Sequence, residues 1–231
     1  SSLPILAAIS QLRLSGGSRY NVDLVRSEFQ NNLKLSQGSW SPLKQIKNKE
    51  VLLIASGPNS RDYKKEIERY IKIKKPFVIA VNTDVKIEKK FISIYAACNP
   101  LKLIANAQSY KNLTAPLAVP STLLNKNLNK KLKNIKILDF GVGLEHNTFK
   151  FNSKGAIMPR LFTLVYALSV ATSGQAKRVL LAGFDGYGNE DVRTKTIDEL
   201  LHLYSSSKGS KPLLAVTPTT YSINSTSIYA L

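Results

Sequence analysis

Apolar residues fall in short blocks separated by lysine-rich stretches with helical spacing. Val51-Leu52-Leu53-Ile54-Ala55 is a continuous apolar run ending in the small residues Ser56-Gly57. A run of that length, bounded by turn residues, predicts a strand buried on both faces. Residues 61–74 follow with Tyr63, Ile67, Tyr70 and Ile71 on one side, a helix that Pro76 closes. The alternation then repeats. Strands are predicted at 77–81, 92–97, 117–120, 135–140, 178–182 and 213–216. Helices are predicted at about 101–109, 123–132, 157–172 and 194–205, with a terminal edge strand at 227–231. Strand–helix alternation at this spacing implies a mostly parallel sheet with helices on both faces. The expected fold is α/β: a three-layer α/β/α, Rossmann-like domain over residues 49–231.

Residues 1–48 do not share the pattern. Gly16-Gly17 and Gly38-Ser39-Trp40-Ser41-Pro42 are loop signals. Between them, Leu24, Val25, Phe29 and Leu33 give 22–35 helical spacing, and Ser41-Pro42-Leu43 opens a short helix. The segment is expected to be an N-terminal helical extension or the tail of an upstream domain. The chain opens Ser1-Ser2-Leu3-Pro4, which reads as a piece of a longer protein. The longest apolar stretch, Ala156 to Thr172, contains Pro159 and Arg160, so a buried helix is expected there rather than a membrane span.

Composition narrows the chemistry. A hydrophobic content of 43% supports a core. One cysteine, Cys98, rules out an internal disulfide, and with two histidines far apart in sequence it points away from zinc catalysis. The net charge of +18 suits an anionic substrate, an anionic glycolipid or a membrane surface, and equally a lysine- and asparagine-biased composition spread over solvated helices. Lysine far outnumbers arginine and few aromatic residues are interleaved. That composition argues against nucleic acid, whose readers favour arginine and stacking rings.

Candidate chemistry lies at strand ends. In Ser56-Gly57-Pro58-Asn59-Ser60, Gly57 allows close backbone approach, Pro58 presets the first helical turn, and Asn59 or Ser60 can cap a helix or bind a phosphate oxygen. The turn is neither a Walker loop nor GxGxxG. That absence, with no clear ribose-binding acid after the second strand, argues against a dinucleotide oxidoreductase. Asn82 and Asn99 are amides at predicted strand ends, suited to a base or sugar edge, although Asn99-Pro100 also fits a plain turn. Gly183-Phe184-Asp185-Gly186-Tyr187-Gly188 sets a carboxylate and a phenol beyond another strand, where Asp-Gly is equally turn chemistry.

The unit Pro159–Tyr187, with Ala167-Leu168 in its helix and Val179 to Tyr187 after it, resembles bacterial sialyltransferases that use CMP-activated sialic acid, and the related glycosyltransferase-like domains of motility-accessory proteins. Gly57-Pro58-Asn59 matches their Gly-Pro-Ser turn, Asn82 their strand-end asparagine, and Tyr221 to Leu231 their closing segment. The resemblance implies a CMP-sugar donor as substrate, with no other cofactor and no metal. It implies that Gly57, Pro58, Asn59 and Ser60 hold phosphate and ribose, and that Asn82 and Asn99 orient base or sugar. Tyr187 would assist the leaving phosphate, and Asp185 would organise the loop or activate the acceptor. Leu213 to Pro218, near the place of the family's base histidine, contains no histidine, and His202 lies within a predicted helix. The expected setting is cytoplasmic surface-polysaccharide synthesis, peripheral to the inner membrane. A second, weaker resemblance is to carboxy-terminal extensions of HMG-CoA-lyase-like, 4-hydroxy-2-oxovalerate-type aldolases. It implies an upstream aldolase domain and a non-catalytic binding or regulatory role for this one.

Overall fold

A computed structural model describes residues 34–99, 103, 107–124, 130, 132–187 and 191–231. Its centre is a seven-stranded, wholly parallel sheet of β1 (Glu50–Ile54), β2 (Phe77–Val81), β3 (Ile94–Ala96), β4 (Leu117–Ala118), β5 (Ile137–Leu138), β9 (Arg178–Ala182) and β10 (Leu213–Ala215). A three-stranded sheet is built from β6 (Gly141–Leu144), β7 (Lys150–Asn152) and β8 (Gly155–Met158). The helices are α1 (Leu43–Ile46), α2 (Pro58–Asp62), α3 (Lys64–Lys74), α4 (Ala107–Tyr110), α5 (Thr163–Ser173) and α6 (Val192–Ser206).

The alternation of side chains along each central strand creates two cores. Val51 and Leu53 of β1, Ile79 of β2 and Val179 and Leu181 of β9 point into one, with α5, α6 and the small sheet. Leu52 and Ile54, Val78 and Ala80, and Leu180 and Ala182 point into the other, under α3. The protein is therefore a three-layer α/β/α, Rossmann-like domain, and runs such as Val51–Ile54 are apolar throughout because both faces are covered.

Helix α3 is amphipathic and buries Ile67, Tyr70 and Ile71. It ends at Lys75, whose left-handed φ of 51° turns the chain into Pro76. Residues 61–74 are not one helix: the break falls at Tyr63, between α2 and α3.

Helix α5 is buried on every side from Thr163 to Thr172. It packs against β2 and β3 of the main sheet and against β7 and β8 of the small one, so it has no solvent face. This corrects the helix expected at 157–172. The apolar run divides at Pro159-Arg160 into strand β8 and helix α5, because proline cannot continue either hydrogen-bond pattern. The small sheet is not foreseen in the sequence at all. Its strand β6 is the glycine-rich Gly141-Val142-Gly143-Leu144, and residues 35–38 lie across it. A side chain on Gly143 would come within 2.8 Å of the Leu35 backbone. Ser36 N–H donates to Val142 O at 3.2 Å, and Trp40 N–H to Asp139 O at 2.9 Å.

The expected terminal strand is also corrected. Ile228–Ala230 form a 3₁₀ turn instead, with the Ser227 hydroxyl capping Tyr229 N–H at 3.3 Å. The helices expected at 22–35 and 123–132 lie largely outside the described residues; Ser121–Leu123 form a 3₁₀ turn. No helix among the described residues is long and apolar enough to cross a membrane.

Candidate functional site at the strand-order switch

The order in the main sheet is β10-β9-β1-β2-β3-β4-β5. The chain builds outward from β1 to β5, then returns to set β9 on the other side of β1. Helix α3 leaves β1 on one face and α5 enters β9 from the other. Such a reversal opens a crevice at the carboxyl ends of the two strands. The turns Ser56–Ser60 and Gly183–Tyr187 lie there.

The two turns are bonded to each other. Ala55 N–H donates to Ala182 O and Gly57 N–H to Gly183 O, each at 3.0 Å. Glycine is required at both positions. A Cβ on Gly57 would stand 2.4 Å from Gly183 O and 2.7 Å from the Asp185 carboxyl carbon. Gly183 has φ +71°, and its Cβ would strike the Ser60 side chain.

Asp185 Oδ2 accepts the Asn59 backbone N–H at 2.8 Å. It thereby neutralises one of the unpaired donors at the start of α2. Asp185 Oδ1 is buried without a hydrogen-bond partner, as is the hydroxyl of Ser60. The Asn59 side-chain amide donates to Pro218 O at 3.1 Å. A third loop, residues 217–220 after β10, braces the pair. Gly183 N–H donates to Thr217 Oγ1 at 2.9 Å, Thr219 Oγ1 donates to Phe184 O at 2.6 Å, and Thr220 N–H donates to Asp185 O at 2.9 Å. The sequence marks these threonines only by a Thr-Pro-Thr-Thr stretch just past the last strand, which carries no signal of what they bond.

Tyr187 sits at the rim, 38% exposed, with the Arg193 guanidinium 3.8 Å from its ring centroid. Arg193 is fixed by Asp191, the N-cap of α6, whose carboxyl is held down at about 2 by that guanidinium and by the Arg193 backbone N–H. Tyr221 lies in the same cluster. Burial pushes its phenol well above the ordinary value, with Tyr187 and Asp198 adding to the effect.

The structure thus joins Gly57, Pro58, Asn59, Ser60 and Asp185 in one cluster with Tyr187 at its edge. Asn82 is one strand away, at the end of β2, in a left-handed turn with φ 66° and with its side-chain oxygen 3.5 Å from Thr163 Oγ1. Asn99 lies beyond the end of β3, a further strand along, and its carbonyl accepts Leu103 N–H at 2.9 Å. At about 4.8 Å per strand, Asn99 is roughly 10 Å along the sheet from β1. Gly188 lies outside the described residues.

The two histidines, distant in sequence, come to one groove of about 470 Å³. It runs between α6 and the tips of the small sheet, with Arg160 and Glu199 also on its walls. His202 therefore faces outward from α6 rather than into the core. Among the described residues no group of three or more histidine, cysteine, aspartate or glutamate side chains is arranged to hold a metal ion. No protein-family model and no curated protein matches the chain.

Proposed function

We propose that the domain binds a nucleotide-activated sugar, CMP-linked, at the β1/β9 switch point and acts as a cytoplasmic glycosyltransferase-like module in surface-polysaccharide synthesis. One observation carries this reading: the β1 and β9 turns are zipped together at the crevice and hold Asn59, Ser60 and Asp185 in one cluster. In the proposed complex the donor lies over the joined turns, whose glycines let them pack on each other, and Asn82 reads a base or sugar edge. The Tyr187 phenol, beside the Arg193 cation, donates to the leaving phosphate as charge develops there. Catalysis is then positioning plus electrostatic stabilisation. Asp185 holds the turn through Asn59 N–H, which fits the loop-organising role.

A second reading has its own support. The Asn59 N–H, which would greet a donor phosphate, is already taken by Asp185, and the Asn59 amide is taken by Pro218. A turn whose donors are satisfied internally suits a non-catalytic regulatory domain attached to an aldolase-type enzyme.

Calorimetric titration with CMP, UDP, NAD and inorganic phosphate separates the two. The first reading expects selective CMP binding, weakened roughly tenfold or more by Asn59→Ala, the equivalent of one lost hydrogen bond. Absence of binding to every nucleotide removes the transferase reading and leaves the regulatory one.

A further inference from the structure

A second groove, of about 470 Å³, lies on the opposite face of the sheet from α5, between α3 and the carboxy-terminal 3₁₀ turn. It shares no residue with the switch-point cluster. One wall is the helical column Lys65, Arg69 and Ile73, spaced by four residues and so stacked on one face. The neighbouring column is Glu66, Tyr70 and Lys74, and Ile228 and Tyr229 close the other side.

Two properties of this groove bear on what it binds. First, its cations are unpaired. Lys64, Lys86 and Lys90 are engaged by Glu68, Asp84 and Glu88, whereas Lys65, Arg69 and Lys74 make no ion pair among the described residues. One carboxylate side chain, Glu66, also lines the groove, and against Lys65, Arg69 and Lys74 it leaves the lining side chains net positive. Second, Ile73 is 62% exposed and Tyr229 69% exposed, and both stand among those cations. A solvated helix face needs lysines but not an isoleucine. Apolar and aromatic side chains at the level of flanking lysine and arginine heads are the pattern of a membrane–water interface. There the long basic stems lie along apolar surface while their heads reach phosphate.

We propose that this face of α3, with the 228–229 turn, is a docking surface for an anionic lipid bilayer. Lys65, Arg69 and Lys74 meet the headgroup phosphates, and Ile73 and Tyr229 enter the boundary between headgroups and acyl chains. The occupant follows from charge complementarity: three free cations on a chain of net charge +18, around two exposed apolar side chains. The proposal is independent of what the switch point binds.

The test is co-sedimentation of the full chain with vesicles of phosphatidylcholine alone and of phosphatidylcholine mixed with phosphatidylglycerol. Binding is expected to the mixed vesicles only, and to weaken at high salt. The triple change Lys65→Gln, Arg69→Gln, Lys74→Gln is expected to lower partitioning at least roughly tenfold. The triple Lys111→Gln, Lys154→Gln, Lys208→Gln removes the same net charge from exposed sites elsewhere and is expected to lower it by less than about threefold. Ile73→Ser, at an exposed position that folding does not need, is expected to weaken binding severalfold without changing charge. Circular dichroism confirms that each variant is folded. Equal binding to both vesicle types, equal loss in the two triples, or unchanged binding of Ile73→Ser each overturns the proposal. So does release by inorganic phosphate at constant ionic strength, which would make the groove a site for the free anion.

Discussion

At the scale of single residues, two contacts make sharp predictions. Glu50 receives the Tyr70 hydroxyl at 2.5 Å and Arg178 Nε at 2.6 Å. Burial alone would raise its carboxyl, but the Tyr70 and Arg178 bonds outweigh burial and hold it below the ordinary value. A carboxylate bound more tightly as an anion in the folded state contributes stability above its unfolded pKa. That contribution is lost as pH falls through the folded value. Acidification through the carboxylate range should therefore cost the native chain more stability than Glu50→Gln, as read from urea midpoints across the acid range. At the switch point, Gly57→Ala places a methyl group against Gly183 O and the Asp185 carboxyl. Forcing the two turns apart should destabilise by about 1–3 kcal/mol in denaturant unfolding, and weaken any nucleotide binding with it.

At the scale of elements, α5 and α6 are tied through a buried hydroxyl pair. Thr172 and Tyr204 lie 2.7 Å apart, and Tyr204 also accepts Lys211 N–H at 3.1 Å. Tyr204→Phe leaves both partners short of a bond in the interior and should cost about 1–3 kcal/mol, checked by the shift in urea midpoint. The sequence revealed the elements whose periodicity is undiluted. Strands β2 and β9 match their expected spans, and α3 buries the residues expected of it, because continuous apolar runs and a 3.6-residue stripe have few other meanings. The small sheet was hidden for equally physical reasons. Gly141 and Gly143 carry no hydrophobic signal, yet they are glycines because residues 35–38 press on them. Strand β8 was masked because it flows into the apolar α5 and both are buried. At the site, the glycine turns could be read from local sequence. The bond from Asp185 to Asn59 could not, since it spans 126 positions and depends on β9 lying beside β1.

At the scale of the whole molecule, the sheet divides the protein into two faces with different character. One carries α5, α6 and the small sheet, where the apolar side chains are enclosed. The other carries α3, whose outer side keeps exposed cations and Ile73. In the docked state the switch-point crevice, at the carboxyl ends of β1 and β9, lies along the rim that the two faces share. Bound protein would then keep that crevice open to water. Accessibility can be read by modifying Tyr187 chemically with and without anionic vesicles. Equal modification is expected, and protection by vesicles would show that docking covers the rim instead.

The pairing of β1 with β9 also has a consequence during synthesis. Glu50 and Arg178, register partners at the base of these strands, are 128 positions apart. At about 5–20 residues per second, the ribosome needs roughly 6–26 s to make the second after the first. For that interval the strand destined for the middle of the sheet has an open edge of Val51, Leu52, Leu53 and Ile54. The nascent chain is thus most exposed to misassociation at its most apolar segment, and a holding chaperone has its natural target there.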